Sequence, residues 1–329
     1  MSTVETTLDT TSLRASQSGR RGDVVFRRLT LAAGSLVFVV LGAIAVFLVV
    51  KAVPSLRADT TSFWATKTWS ASVGSASFGI AALVFGTVLT SVLALVMAVP
   101  VALGVAIYTT EYAPRRLSTL LGYLTDMLAA VPSIVYGLWG LYLLLPHLTG
   151  VQSFLAKYFG WIPLFNDPGG RAALFSKSIF GAAVVLAIMI LPIVAAVSRE
   201  VLRQVDPAQK EAALALGATR WEMVRLSVLP PSRSGIISAT MLGLGRALGE
   251  TIAVALVIGD AFSISWKVLP SGGNTIAANI ANLFGDADSI GRSALIASGL
   301  VLFVLTLAVN LGARYIILRS GTEERSSAV

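Results

Sequence analysis

Apolar residues fall into six long windows separated by short polar segments, at about 29–51, 79–108, 118–146, 177–198, 236–259 and 292–317. A helix needs about 20 apolar residues to cross the hydrocarbon core, so each window predicts one membrane span. The expected fold class is all-α, a polytopic membrane protein with six transmembrane helices. The first window exceeds the roughly 7–15 apolar residues of a cleavable signal and follows a polar stretch rich in Ser, Thr and Arg. That stretch, 1–28, is expected to be a disordered tail. Residues 29–318 would form the transmembrane domain and 319–329 a second tail.

Composition sharpens the class. Hydrophobic residues make up 55% of the chain and charged residues 13%, about half the share usual in a soluble domain. There is no cysteine, which excludes disulfide and thiol chemistry. The single histidine, His147, cannot build a His-rich metal site, and no cofactor is expected. The net charge of +8 reads as basic loops beside a membrane rather than affinity for nucleic acid. With both termini in the cytoplasm, sixteen Lys and Arg fall in cytoplasmic segments and eight in outer ones, the bias that sets orientation. Trp64, Trp69, Trp161 and Trp266 then lie in outer loops, where an aromatic belt sits. Gly169-Gly170 and Gly272-Gly273 mark outer loops expected to meet a soluble protein.

The largest expected cytoplasmic loop, 199–235, carries the clearest local signals. Asp206 is a good N-cap, Pro207 suits the first helical position, and Gln209 can reach back to the cap. The helix continues through Lys210 to Leu216, and Gly217 can end it in a left-handed turn. Thr219 and Glu222 form a second capping box, and Leu229-Pro230-Pro231 is expected to stop that second helix. The result is two short amphipathic helices under the membrane. Ala212, Ala213 and Ala215 leave the first one a smooth surface beside the fixed charge of Glu211. It suits either docking to a partner or lying on lipid head groups.

One apolar window carries two charges near its middle. Arg246 and Glu250 sit near the middle of 236–259, where each costs about 2.5–3.5 kcal/mol on insertion scales. Four residues apart on a helix, they share a face. Two readings follow: a self-neutralising ion pair that locks the helix to its neighbours, or an anion path in which the Arg246 fork takes an oxyanion. Gly243, Gly245 and Gly249 permit close helix approach and leave room along a pore. Asp126 in the third window can cap an internal helix or line a cavity, and Tyr136 can line a pore or pack. Pro100, Pro132 and Pro192 predict kinks.

Glu211-Ala212-Ala213, three residues, Gly217, then eleven residues to Leu229-Pro230 resemble the EAA motif of ABC-importer permeases. The resemblance implies a type I ABC importer permease fold. It makes 199–235 a coupling-helix loop that docks, through Glu211, Ala212, Ala213 and Gly217, into a dimer of ATP-hydrolysing subunits. Ser227 stands where the pattern has Ile or Val, a position expected to face the membrane domain.

A closer likeness covers about 78–318. Val131-Pro132-Ser133-Ile134-Val135-Tyr136-Gly137-Leu138-Trp139-Gly140, the Gly243–Thr251 stretch and Asn274-Thr275-Ile276-Ala277-Ala278-Asn279-Ile280-Ala281-Asn282 are similar to permease subunits of the phosphate-specific transport system, the C-type rather than the A-type. That resemblance implies a multi-pass permease of the bacterial inner membrane importing inorganic phosphate. Its implied partners are an A-type permease chain and an extracytoplasmic phosphate-binding protein. Arg246 and Glu250 would belong to the substrate pathway.

The chain has no Gly-Lys pair, hence no phosphate-cradling P-loop, so ATP hydrolysis would come from another subunit. A permease for sulfate or molybdate is the nearest rival. An ATP-independent carrier or channel is a further one, against which the two-helix loop argues. A membrane enzyme would need a cluster of His, Asp or Glu at one membrane face, and the sequence offers none.

Overall fold

A computed structural model describes residues 17–72, 75–166 and 177–326. The chain divides into two units, Met1–Val50 and Lys51–Val329. The first contributes most of α1, Gln17–Ala58. Residues 17–28, expected in a disordered tail, are helical there, and residues 1–16 lie outside the described residues. Apolar side chains of α1 such as Phe38 and Val39 are exposed, as lipid-facing residues are.

The second unit opens with a two-stranded hairpin, β1 (Trp69–Ser72) and β2 (Ser75–Phe78), antiparallel with Trp69 opposite Phe78. Helices follow: α2 (Ala81–Ile107), α3 (Arg115–Ala129), α4 (Ser133–Trp139), α5 (Leu145–Phe159) and α6 (Ile179–Arg203). Then come α7 (Pro207–Ala215), α8 (Arg220–Met223), α9 (Leu229–Gly249), α10 (Ile252–Val257), α11 (Ile276–Leu283) and α12 (Ser289–Ser326). The expected 319–329 tail is therefore helical through Ser326.

Among the described residues five helices are long and apolar enough to cross a membrane: 22–58, 81–112, 133–159, 179–203 and 289–315. Two expected spans are laid out differently. The third, 118–146, breaks after Ala129. Pro132 has no N–H and bars helical geometry at Val131, so a new helix starts at Ser133 and runs on to Phe159. The fifth, 236–259, starts earlier, at Leu229, and is interrupted at Glu250 and Thr251.

Proline acts by its local setting. Helices α2 and α6 pass through Pro100 and Pro192 unbroken. Three π-helical segments, Tyr108–Tyr112, Gly140–Leu144 and Val224–Val228, each end two residues before a proline: Pro114, Pro146 and Pro230. In each, the residue just before the proline donates five residues back, as Leu229 N–H does to the Val224 carbonyl. The wider turn relieves the clash of the proline ring with the preceding turn. Leu229-Pro230-Pro231 therefore does not stop the second short helix, as expected from sequence. It opens α9.

Helix α6 is the centre of the bundle. It is buried over 67% of its most apolar window, against 33% or less for the other spans. It packs against α2, α3, α4, α9 and α10. Helix α2 meets its neighbours through small residues every fourth position: Ala82, Gly86, Thr90, Ala94, Ala98, Ala102 and Ala106, all buried. Small side chains let backbones approach where no hydrophobic force drives association. At 3.6 residues per turn the row drifts about 40° per step, so it reaches different partners. Ala94 and Ala98 meet Leu186, Met189 and Ile190. Ala102 meets Val194 and Ala195. Ala106 meets Leu202 and Val224.

Near the hairpin end of α2, Gly86 lies against the Asn274 carbonyl, where any Cβ would overlap it. Thr87 Oγ1 accepts from Ile276 N–H at 3.0 Å. Thr275 Oγ1 caps α11 by accepting from Ala278 N–H. Asn274 Oδ1 accepts from Thr275 N–H at 2.8 Å. Residues 274–279 thus form a buried clasp that fastens the start of α11 to α2.

Gly86→Ala should lower the thermal unfolding midpoint of the detergent-purified protein. Gly104→Ala in the same helix meets nothing within 4 Å and should leave the midpoint unchanged or raise it by helix propensity, about 1 kcal/mol. Equal midpoints for the two variants would show that the Asn274 contact carries no packing strain.

Candidate functional site

Two helix interruptions lie side by side. One separates α3 from α4 and the other separates α9 from α10, and α4 packs closely on α10. Gly137 allows this, since a Cβ there would fall 2.8 Å from Ala253 Cα. Gly140 sits the same way against Val185 and Val257. The sequence Tyr136-Gly-Leu-Trp-Gly140 thus places two glycines on the contact face. Tyr136 is buried, and its hydroxyl donates to the Leu128 carbonyl at 2.8 Å. It ties α4 back to the end of α3, so it packs rather than lining an open path.

At the second interruption Glu250 is extended, with φ −69° and ψ 124°. Its Oε1 accepts from Ala253 N–H at 3.3 Å, capping α10. The Thr251 hydroxyl donates to the Gly249 carbonyl at 3.2 Å. The expected i, i+4 pairing needs a continuous helix, and the break removes it: among the described residues Arg246 and Glu250 form no ion pair with one another. Arg246 is exposed.

Arg246 lines a groove of about 880 Å³ between α6, α9 and α12, with Ser238, Gly245, Thr306, Asn310 and Arg314 as its other polar or small members. Gly243 faces away from it and lets α9 approach Val194 of α6. The sequence reading missed Asn310 and Arg314. Arg314 stood among the basic residues of the C-terminal segment, and only the packing of α12 on α9 brings it into the same groove as Arg246.

The segment leading into α9 holds most of its sequence-predicted features. Asp206 Oδ1 accepts from Ala208 N–H at 2.9 Å, while the Gln209 side chain makes no return bond to the cap. Gly217 has φ +87°. Ala218 N–H donates to the Ala213 carbonyl and Gly217 N–H to that of Leu214, the Schellman ending of a helix. Thr219 and Glu222 complete their capping box. Donation by the Thr219 N–H and hydroxyl holds the Glu222 carboxyl below its ordinary pKa.

Helix α7 has no buried residue, and Leu216 is 90% exposed. Ala212, Ala213 and Leu216 line a second groove, about 680 Å³, closed by Leu226, Ser227, Pro230 and Pro231. Ser227 therefore faces this groove, between α7 and the start of α9.

Two ion pairs anchor this end of the bundle. Lys210 Nζ meets Glu111 Oε1 at 2.6 Å, fastening α7 to the end of α2. Arg199 Nη2 meets both Asp126 oxygens, at 2.9 and 3.2 Å, and its Nη1 donates to Thr125 Oγ1 at 3.0 Å. Gly122 leaves room for that guanidinium. Asp126 thus fastens α3 to α6, a structural role other than the helix cap expected from the sequence. Gly169-Gly170 lie outside the described residues. Gly272 and Gly273 both take positive φ, and Gly272 N–H donates to the Lys177 carbonyl.

A family model described as the binding-protein-dependent transport system inner membrane component matches residues 98–320. The phosphate transport system permease protein PstC 2 of Mycobacterium bovis is 47% identical over 299 residues, covering 90% of this chain and 92% of its own. PstC of Mycobacterium leprae is 47% identical over 275 residues, 83% of this chain and 86% of its own. Among solved structures, an inward-facing MetNI methionine ABC transporter matches with a TM-score of 0.51 at 16% identity, over 72% of this chain and 95% of that one. This last likeness is one of fold alone, that of type I ABC-importer permeases. The match over 98–320 spans both helix interruptions, the Arg246 groove and the α7–α8 segment, and on it the chain belongs to the family of binding-protein-dependent transport system inner membrane components.

Proposed function

We propose that this chain is the C-type permease subunit of an ATP-driven importer of inorganic phosphate. The observation that carries the reading is the unpaired Arg246 in a groove beside two interrupted helices. Non-helical backbone at membrane depth is tolerated where protein covers it or a water-filled cavity receives it, and discontinuous helices mark substrate sites in many transporters. A free guanidinium offers an oxyanion a planar fork. Close similarity to PstC proteins supports phosphate as that oxyanion. Glu250 caps α10, so in the pathway it fixes the break that keeps Arg246 free.

Both termini lie in the cytoplasm in this reading, as the Lys and Arg distribution favours. Residues 29–318 form the transmembrane domain. The exposed α7 is the coupling helix. Glu211, Ala212, Ala213 and Gly217 meet the ATP-hydrolysing dimer, and the Schellman turn at Gly217 fixes the angle between α7 and α8. A movement of α7 reaches α2 through Lys210–Glu111 and α6 through the apolar cluster around Leu202, Met223 and Val224. A second, A-type permease chain completes the path, and a soluble phosphate-binding protein delivers substrate to the outer loops.

ATP-driven uptake of radiolabelled phosphate into vesicles holding the complete complex tests the reading. Uptake should require ATP and persist under excess sulfate. Competition by sulfate would move the substrate to another oxyanion, and uptake without the ATPase would remove the coupling assignment. Arg246→Leu should reduce uptake to background while the complex still assembles; normal transport in that variant would exclude Arg246 from the path. Glu211→Lys should cut co-purification of the ATP-hydrolysing subunit several-fold, and an unchanged yield would count against docking through α7.

A further inference from the structure

The groove that holds Arg246 has a second cation. Thr306, Asn310 and Arg314 follow one another at four-residue steps on α12, so they share one face, and all three line the groove. No Asp or Glu lines it. Among the described residues neither Asn310 nor Arg314 has a hydrogen-bond or ion-pair partner. Thr306 donates to the Phe303 carbonyl at 2.9 Å.

The two helices run in opposite directions. Helix α9 leaves the α7–α8 segment at Leu229, while α12 comes from the hairpin end, where Ala294 packs with Phe78. Arg314 therefore lies nearer α7 than Asn310 by about one helical turn, or about 6 Å, and Asn310 sits close to Gly245, beside the Arg246 level. Two guanidiniums without carboxylate partners, with this amide next to them, form an acid-free lane for an oxyanion. One tight site would hold its ion; a path needs several moderate ones.

We propose that Asn310 and Arg314 form a second oxyanion station, on the α7 side of Arg246, which receives phosphate leaving Arg246. The proposal rests on the phosphate-permease reading and extends it to α12. Arg314 would supply the charge and Asn310 a neutral donor. An amide also accepts, so Asn310 can take a hydrogen bond from the protonated oxygen of a phosphate monoanion or dianion.

The complete complex is reconstituted in vesicles, and ATP-driven uptake of radiolabelled phosphate is compared for wild type, Arg246→Leu, Arg314→Gln, Arg314→Lys and Asn310→Leu. Arg314→Gln should lose about tenfold or more in rate, the scale of one charge-assisted hydrogen bond, with subunit composition unchanged. Arg314→Lys should recover a good part of that loss. Asn310→Leu should raise the phosphate concentration needed for half-maximal uptake several-fold. Each assay is run in neutral phosphatidylcholine and in vesicles containing phosphatidylglycerol. A loss that appears only with the anionic lipid would make Arg314 a headgroup anchor and overturn the station.

Arg314→Gln transporting like wild type, where Arg246→Leu is inactive, would also overturn the station and leave the phosphate reading standing. A loss shared equally by Gln and Lys together with a missing subunit would make Arg314 an assembly residue, again against the proposal. A wild-type complex that ignores phosphate would overturn both readings.

Discussion

A backbone N–H or C=O left without a partner in hydrocarbon costs several kcal/mol, yet this chain interrupts two helices within its membrane region. Each interruption is repaired by its own neighbours. The Leu128 carbonyl at the end of α3 receives the Tyr136 hydroxyl. The Gly249 carbonyl receives Thr251, and Ala253 N–H is taken by Glu250. The helices that resume, α4 and α10, then cover each other through Gly137 and Ala253. Larger residues at 137 or 140 would separate α4 from α10 and α6 and leave both breaks less covered. The glycines of Tyr136-Gly-Leu-Trp-Gly140 are in this sense a condition for having the breaks at all.

The same constraint explains the small-residue row on α2. With lipid on the outside as apolar as the side chains themselves, packing depends on close approach and on interhelical hydrogen bonds. The row allows that approach along the whole helix, and polar contacts fasten its two ends. Lys210 and Glu111 hold one end to α7. Thr87 and Gly86 hold the other to Asn274–Ile276 and so to the cap of α11. Helix α2 thus joins the α7–α8 segment to the hairpin end of the bundle through fixed contacts at both ends. Arg199, joined to Thr125 and Asp126, adds a cross-tie from α6 to α3.

What the sequence made legible was what is local. Asp206, Gly217 and the Thr219–Glu222 box each act within a few residues, and all three hold in the structure. Leu229-Pro230-Pro231 misled because a proline's effect depends on the turn before it, and a π-helical turn leaves no mark in the apolar pattern. The stretch 274–282 was readable only as a resemblance. The buried clasp made by its first six residues, 274–279, needs Thr87 and Gly86, nearly two hundred residues earlier in the chain. Asp126–Arg199 and Arg246–Arg314 were hidden for the same reason. In each, two helices distant in sequence meet, and neither partner's own window announces the other.

The Arg246–Glu250 pair shows how a local rule is overridden, and with what consequence. On a continuous helix the two side chains would sit one turn apart and largely neutralise each other, and the groove would have a carboxylate beside its guanidinium. Any incoming oxyanion would then compete with Glu250. The chain instead turns extended at Glu250, and the carboxylate caps α10 through Ala253 N–H. That one bond serves twice. It satisfies part of the backbone exposed by the break, and it keeps the negative charge from pairing with Arg246. The cost is a cation without a carboxylate partner at membrane depth, on the order of 2.5–3.5 kcal/mol on insertion scales. In the path we propose, an oxyanion entering the groove would lower that cost.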